Sequence, residues 1–164
     1  MRYYFTKSPI VQAILKQDCG HLAVEFGQGD HAIVIESTAL TGVRPQWRKA
    51  FLSQKKVVHC LERVLPVEKD LAIYERVVSR VIGKSYDYQG ASWLGLVTML
   101  GISTMFNPVG KRDAFYCTEV LNAQKVWLAK HGFDVSKLEN QLLKPHDAYE
   151  MLLKTGMFEC LKLA

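Results

Sequence analysis

The sequence predicts an α+β domain in which an antiparallel sheet packs on helices. Three observations carry that expectation. Residues up to Val64 hold several short strand-like runs, and from Pro66 onward apolar residues recur every three or four positions. No repeat, low-complexity tract or linker divides the chain, whose 164 residues suit one core. Hydrophobic residues make up 49% and charged residues 23%, which excludes a disordered or fibrous chain.

The elements follow in order. Arg2 to Thr6 is aromatic and reads as a strand. Ser8-Pro9 reads as an N-cap followed by proline at the first helical position, opening a short helix to about Lys16. His21 to Phe26 and Ala32 to Glu36 are strand-like runs around Gly27-Gln28-Gly29-Asp30, a hairpin signal. Pro45 to Leu52 reads as a helix and Val57 to Val64 as a strand. Pro66 opens the clearest helix, with Val67, Leu71, Tyr74, Val78 and Val81 in register and Gly83 as C-terminal stop. A further helix is expected from about Phe115 to His131, ended by Gly132. Another follows Pro145 and ends at Gly156, and Met157 to Leu163 reads as a closing strand.

A net charge of +5 and a pI near 9.0 make the chain mildly basic, without a nucleic-acid signature. Arg44, Arg48, Lys49, Lys55 and Lys56 form the nearest thing to a basic patch and read as a solvated face. Cys19, Cys60, Cys117 and Cys160 are far apart. No C-x-x-C pair is present, so neither zinc nor any other cofactor is expected. Cys19 with His21, or His59 with Cys60, lacks a second pair to complete a set. A disulfide framework is not expected at this length. Met1 to Leu15 has no continuous apolar core and no cleavage site, so a cytoplasmic location is expected.

Two places hold chemistry. If Gln28-Gly29 is a two-residue hairpin loop, Phe26 faces His31, Val24 faces Ile33, Leu22 faces Ile35 and His21 faces Glu36. Leu22, Val24, Phe26, Ile33 and Ile35 then share one face; His21, Ala23, Glu25, Ala32, Val34 and Glu36 share the other. A one-residue slip would exchange the faces. A carboxylate opposite an imidazole can hold one ring nitrogen and leave the other as a base. The same pair also reads as an ordinary polar pair on a wet sheet face.

The second place is Phe115-Tyr116-Cys117-Thr118-Glu119, which sets a thiol at an expected helix start. Unpaired N–H groups there favour a thiolate and can hold an oxyanion, with Asp113 as a candidate cap. A buried cysteine acting as a small hydrophobe is the alternative. Cys60, Cys160 and Cys19 lack helix-start geometry.

Four pieces, taken together and in order, resemble the circularly permuted NlpC-type papain-like family, which includes lecithin retinol acyltransferase. They are Gly20-His21-Leu22-Ala23-Val24; Ile33-Val34-Ile35-Glu36-Ser37-Thr38 with Gly42-Val43-Arg44 and Trp47; Gly83-Lys84-Ser85-Tyr86-Asp87-Tyr88; and Phe115-Tyr116-Cys117-Thr118-Glu119, with threonine where the family has serine. The match spans roughly residues 20 to 122, and the histidine precedes the cysteine as in the permuted branch. The resemblance implies a single permuted papain-like domain with Cys117 as nucleophile, His21 as base and Glu36 as orienter. Tyr86, Tyr116 and Trp93 are candidate substrate-binding residues, with core packing as their alternative role. Glu119 belongs to the matched motif but is equally a helix-dipole partner.

Residues 89 to 110 carry no charge and approach the ~20 residues of a membrane span. Three glycines within Gln89–Met105 and several hydroxyls favour a lid or a buried helical hairpin, with 91–106 as a candidate lipid or partner surface. Three functions are expected to compete: a hydrolase of peptide or peptidoglycan-type amides, a lipid-directed thioesterase or acyltransferase, and a non-catalytic binding module. A wall-directed enzyme usually carries an export signal or wall-binding module, which phage-encoded members can lack.

Overall fold

A computed structural model describes residues 1–63, 67–102, 108–109, 115, 117–122, 124, 129–130, 143–154, 156 and 158–162. Its centre is a six-stranded antiparallel sheet of order β4-β3-β2-β1-β5-β6. The strands are β1 (Arg2–Thr6), β2 (His21–Phe26), β3 (Ile33–Thr38), β4 (Gly42–Trp47), β5 (Val57–Glu62) and the short β6 (Glu159–Cys160). Helices α1 (Pro9–Leu15), α2 (Arg48–Gln54), α3 (Val67–Val81), α4 (Tyr88–Met99), α5 (Glu119–Asn122) and α6 (Pro145–Lys154) pack around it.

The sheet is buried on both faces, which explains the unbroken apolar run of β1. Tyr3, Phe5, Leu22, Val24, Ile35 and Leu61 point into the larger core, which α3, α4, α5 and α6 complete through Ile73, Val77, Leu94, Leu121 and Leu152. The alternate residues Tyr4, Ala23, Val34 and Cys60 point the other way, onto Phe51 of α2. Tyr4 and Phe51 meet with ring centroids 5.3 Å apart.

Several expectations change. The first hairpin pairs Phe26 with Ile33, Val24 with Ile35 and Ala23 with Glu36. Its loop is longer than two residues because Gly29–His31 forms a 3-10 turn. The register therefore moves by two residues from the expected one. An even shift keeps every side chain on its expected face, so His21 and Glu36 remain on one side as diagonal neighbours rather than directly opposed. His31 lies exposed in the turn.

Pro45 does not start a helix. It lies within β4 at the sheet edge, where a missing N–H costs no ladder bond, and α2 begins only at Arg48. On α3 the inward residues are Ile73, Val77 and Val81, flanked by Tyr74 and Val78, while Leu71 is exposed. Ser8 holds the N-cap position of α1 with extended backbone, but its hydroxyl makes no capping bond. The closing strand is limited to Glu159–Cys160. Asp113, Val64 and Pro66 lie outside the described residues.

The turn after α3 is docked on β4. Val43 N–H donates to Lys84 C=O at 2.9 Å, and Gly83 N–H donates to Val43 C=O at 2.9 Å. Gly42 makes this approach possible: its φ is +66°, and a methyl group there would overlap the Lys84 carbonyl. Asp87, from the Gly83–Tyr88 stretch, caps α4 by accepting from Gly90 N–H at 2.9 Å. Among the described residues, no helix is long and apolar enough to cross a membrane; α4 has 12 residues.

Gly42→Ala is expected to lower stability by about 2 kcal/mol or more, because it adds left-handed strain to a steric overlap. Thermal denaturation checks this, and an unchanged midpoint would contradict the docking account.

Candidate active site

The site is built on the face of the sheet that looks toward α2. Glu36, in the middle of β3, has no exposed surface. Its Oε2 lies 2.9 Å from His21 Nε2 and 3.5 Å from Lys55 Nζ, just beyond the end of α2. Its Oε1 accepts from Gln46 Nε2 at 2.6 Å and from an Arg44 guanidinium nitrogen at 3.3 Å. Strand register explains these partners. Arg44 is paired with Glu36 across β3 and β4, Gln46 with Val34 two residues along the same face, and Ala23 with Glu36 on the other side, two residues from His21.

Cys117 lies in a turn two residues ahead of α5 and is 8% exposed. The helix begins later than the expected Phe115, so the thiol stands in the turn rather than within the first helical turn. Three anchors hold that turn. Phe115 N–H donates to Ser85 C=O at 2.9 Å, and the Ser37 hydroxyl donates to Phe115 C=O. On the far side, Thr118 Oγ1 donates to Leu143 C=O at 2.6 Å. That bond needs only a hydroxyl, so threonine serves as well as the serine of the motif. Ser85 itself follows the turn docked on β4, so the chain of contacts runs from β4 to the cysteine.

The imidazole and the thiol line one cavity. Burial works against a charged His21, but its hydrogen bond to Cys117, its hydrogen bond to Glu36 and the charge of each outweigh that, and the pKa is pushed up to about 9. Glu36 behaves inversely. Burial raises its pKa, yet the His21 hydrogen bond and charge, together with Lys55 and Arg44, bring it down to about 2. Nε2 is occupied by Glu36, so Nδ1 is the ring nitrogen left for the sulfur. The order is thiol, imidazole, carboxylate, an arrangement that can supply a nucleophile, a base and a group to fix the base.

Cys117 and His21 open into a cavity of about 270 Å³. Val11, Ile14 and Leu15 of α1 and Ala91, Leu94 and Gly95 of α4 form an apolar wall, while Lys7, Lys55, Ser37 and Tyr86 bring polar groups. Gly20, just before His21, allows α1 to come this close, since a Cβ there would sit 2.8 Å from Ser8 Cβ. Burial and nearby acidic groups push the Tyr86 phenol upward, so it stays a neutral donor at the cavity. Trp93 does not line the cavity; it is half-buried against the larger core. Tyr116 lies outside the described residues. Glu119 stands in the first turn of α5.

The basic residues expected on a solvated face are only partly there. Arg44 and Lys55 turn to Glu36, and Arg48 turns to the second buried carboxylate of the same face, Glu25, at 3.4 Å. Glu25 also meets Arg2 at 3.0 Å and the Tyr4 hydroxyl at 2.5 Å. Sequence reasoning missed Arg44 and Gln46 as partners of Glu36 because it read Pro45 as helical. The Thr38–Gly42 turn signal between two β-rich runs would have paired them.

Compared with known protein families and with curated proteins, the chain matches none.

The two shifted groups fix the sign of the pH dependence. His21, raised from 6.5 to about 9, stabilises the fold fully below 6.5 and loses that contribution as pH rises through about 9. Glu36, lowered from 4.5 to about 2, stabilises it above 4.5 and loses that contribution as pH falls toward 2. A stability plateau between these ordinary values is expected, falling on both sides, in thermal melts across pH. Glu36→Ala is expected to cost about 3–5 kcal/mol on the plateau. NMR titration of the His21 ring in Glu36→Gln is expected to give a midpoint below that of the wild type. An unmoved midpoint would show that the two side chains are not coupled.

Proposed function

We propose that this chain is a cysteine-dependent hydrolase of the permuted papain-like kind, cleaving an amide bond of a peptide or peptidoglycan-type substrate through an acyl-enzyme on Cys117. One observation carries the reading: the buried His21 ring holds the Glu36 carboxylate at 2.9 Å through Nε2 and lines the same cavity as the Cys117 thiol, which acts on that ring electrostatically. The strand position of the histidine, the polar residue on the neighbouring strand and a helix following the cysteine support the family assignment.

In the mechanism, His21 takes the thiol proton and the pair stands as thiolate and imidazolium. The sulfur attacks the carbonyl carbon, a C–S bond forms, and backbone N–H groups of the Cys117 turn bind the oxyanion. The imidazolium gives its proton to the leaving nitrogen as the C–N bond breaks. His21 then takes a proton from water, which attacks the thioester and frees the acid and the thiol. Glu36 holds the ring in place and stabilises its charged form. A cavity of about 270 Å³ lies just below the range of drug-sized pockets, so it accommodates an acyl group rather than a whole polymer.

A second reading, a lipid-type acyl donor, is favoured by the apolar wall that α1 and α4 give the cavity. Around it Ile10, Leu96, Met99, Leu100 and Ile102 are exposed, a surface suited to contact with a lipid interface.

Incubation with p-nitrophenyl esters of increasing acyl length, followed by intact-mass spectrometry, tests both readings. A thioester adduct on Cys117 is expected in the wild type, with none in Cys117→Ser. Cys117→Ala and His21→Ala are expected to lower turnover by about three orders of magnitude or more. Rates that climb with chain length would favour the lipid reading, and rates indifferent to length the amide reading. No adduct at any length, with no cleavage of peptide amides, would overturn the proposal.

A further inference from the structure

A second constellation lies outside the Cys117 site. Asp18 and Cys19 end the segment leading into β2, His59 is in β5, and His146 opens α6. The sequence spreads these residues over more than a hundred positions, but the sheet brings them together. Carboxylate, thiol and imidazole ligand atoms of Asp18, Cys19 and His146 all lie within 4.8 Å of one another.

We propose that Asp18, Cys19 and His146 form a binding site for a zinc ion, with His59 and Glu150 as its outer partners.

Geometry supports this first. His146 Nδ1 stands 2.8 Å from Asp18 Oδ1. Zinc bonds of about 2.0–2.3 Å place tetrahedral ligands roughly 3–4 Å apart, so side-chain shifts of about 1 Å admit the ion in place of the shared proton. The ligand chemistry selects the metal. A nitrogen, a sulfur and an oxygen together suit zinc, whereas magnesium and calcium require oxygen alone. Two anionic ligands also cancel the double charge, which matters because Cys19 is fully buried.

The surrounding shell has the form that orients metal ligands. The other oxygen of Asp18 is held by His59 Nε2 at 2.6 Å. The other ring nitrogen of His146 faces Glu150 Oε1 at 3.4 Å. A carboxylate behind a ligating histidine fixes its tautomer and ring plane. The His59 ring is itself fixed by stacking on Tyr149, with centroids 4.2 Å apart and 17° between planes. Gln17 ties the two backbone segments together, accepting from His146 N–H at 3.3 Å and donating to Asp147 at 3.2 Å. The thiolate forms with coordination and a proton is released. Three protein ligands leave a fourth position for water. The ion would join the strand carrying His21 to α6, next to Pro145 at the cavity wall.

The chelator-treated chain should be titrated calorimetrically with zinc chloride and followed by absorption with cobalt(II), whose thiolate charge-transfer band reports a sulfur ligand. About one ion per chain is expected in the wild type and equally in Cys117→Ser. His146→Ala and Asp18→Asn, at partly exposed positions, are expected to bind at least about ten-fold more weakly. The cobalt–thiolate band is expected to persist in Cys117→Ser and to vanish when Cys19→Ser is added. Binding that disappears in Cys117→Ser while surviving His146→Ala would place the ion on the Cys117–His21 pair and overturn the proposal. So would the absence of a thiolate band in Cys117→Ser, or no zinc uptake at all.

Discussion

Removing a carboxylate from water costs several kcal/mol unless its charge and lone pairs are met. Glu36 is wholly buried in the middle of the sheet, and His21, Arg44, Gln46 and Lys55 meet it. Much of the local architecture follows from that requirement. β4 must run beside β3 in a register that brings Arg44 and Gln46 to the same face. The C-terminal end of α2 must deliver Lys55, the residue that follows it. β2 must begin where His21 can reach across. The partners come from β2, β4 and the end of α2, so the carboxylate is satisfied only when strands, edge and helix are all assembled.

The same face carries a second carboxylate, Glu25, answered by Arg2, Tyr4 and Arg48. The two faces of the sheet thus differ in kind. One is a conventional apolar core under several helices. The other sets a smaller apolar cluster around Phe51 beside a polar layer in which two buried acids are neutralised by basic side chains that are themselves partly exposed. Placing the histidine on that polar layer holds it charged, while the cysteine approaches from a turn packed into the apolar core. The pair therefore forms where the two environments meet, with a cavity walled by α1 and α4 directly in front of it.

The faces of the first hairpin were legible in the sequence because alternation of side chains depends only on parity. A loop misjudged by two residues left His21 and Glu36 together, whereas an error of one would have separated them. Of the partners of Glu36, Arg44, Gln46 and Lys55 were not legible, since Pro45, between the first two, resembles a helix start. Only the sheet edge makes that proline acceptable in a strand. The anchors of the Cys117 turn were hidden for another reason: Ser37, Ser85 and Leu143 act through backbone carbonyls or on them, and such bonds have no sequence spacing. Asp18, His59 and His146 were invisible as a cluster because no short-range motif links a pre-strand loop, a strand and a distant helix start.

The central claim is that Glu36 and His21 together activate Cys117. The rate of iodoacetamide alkylation at Cys117 against pH, read by mass spectrometry in the wild type, His21→Ala and Glu36→Gln, tests it most directly. Ready alkylation of the wild type at neutral pH is expected, slowed by about ten-fold or more in His21→Ala and by less in Glu36→Gln. A profile that follows an ordinary thiol and ignores both substitutions would contradict it.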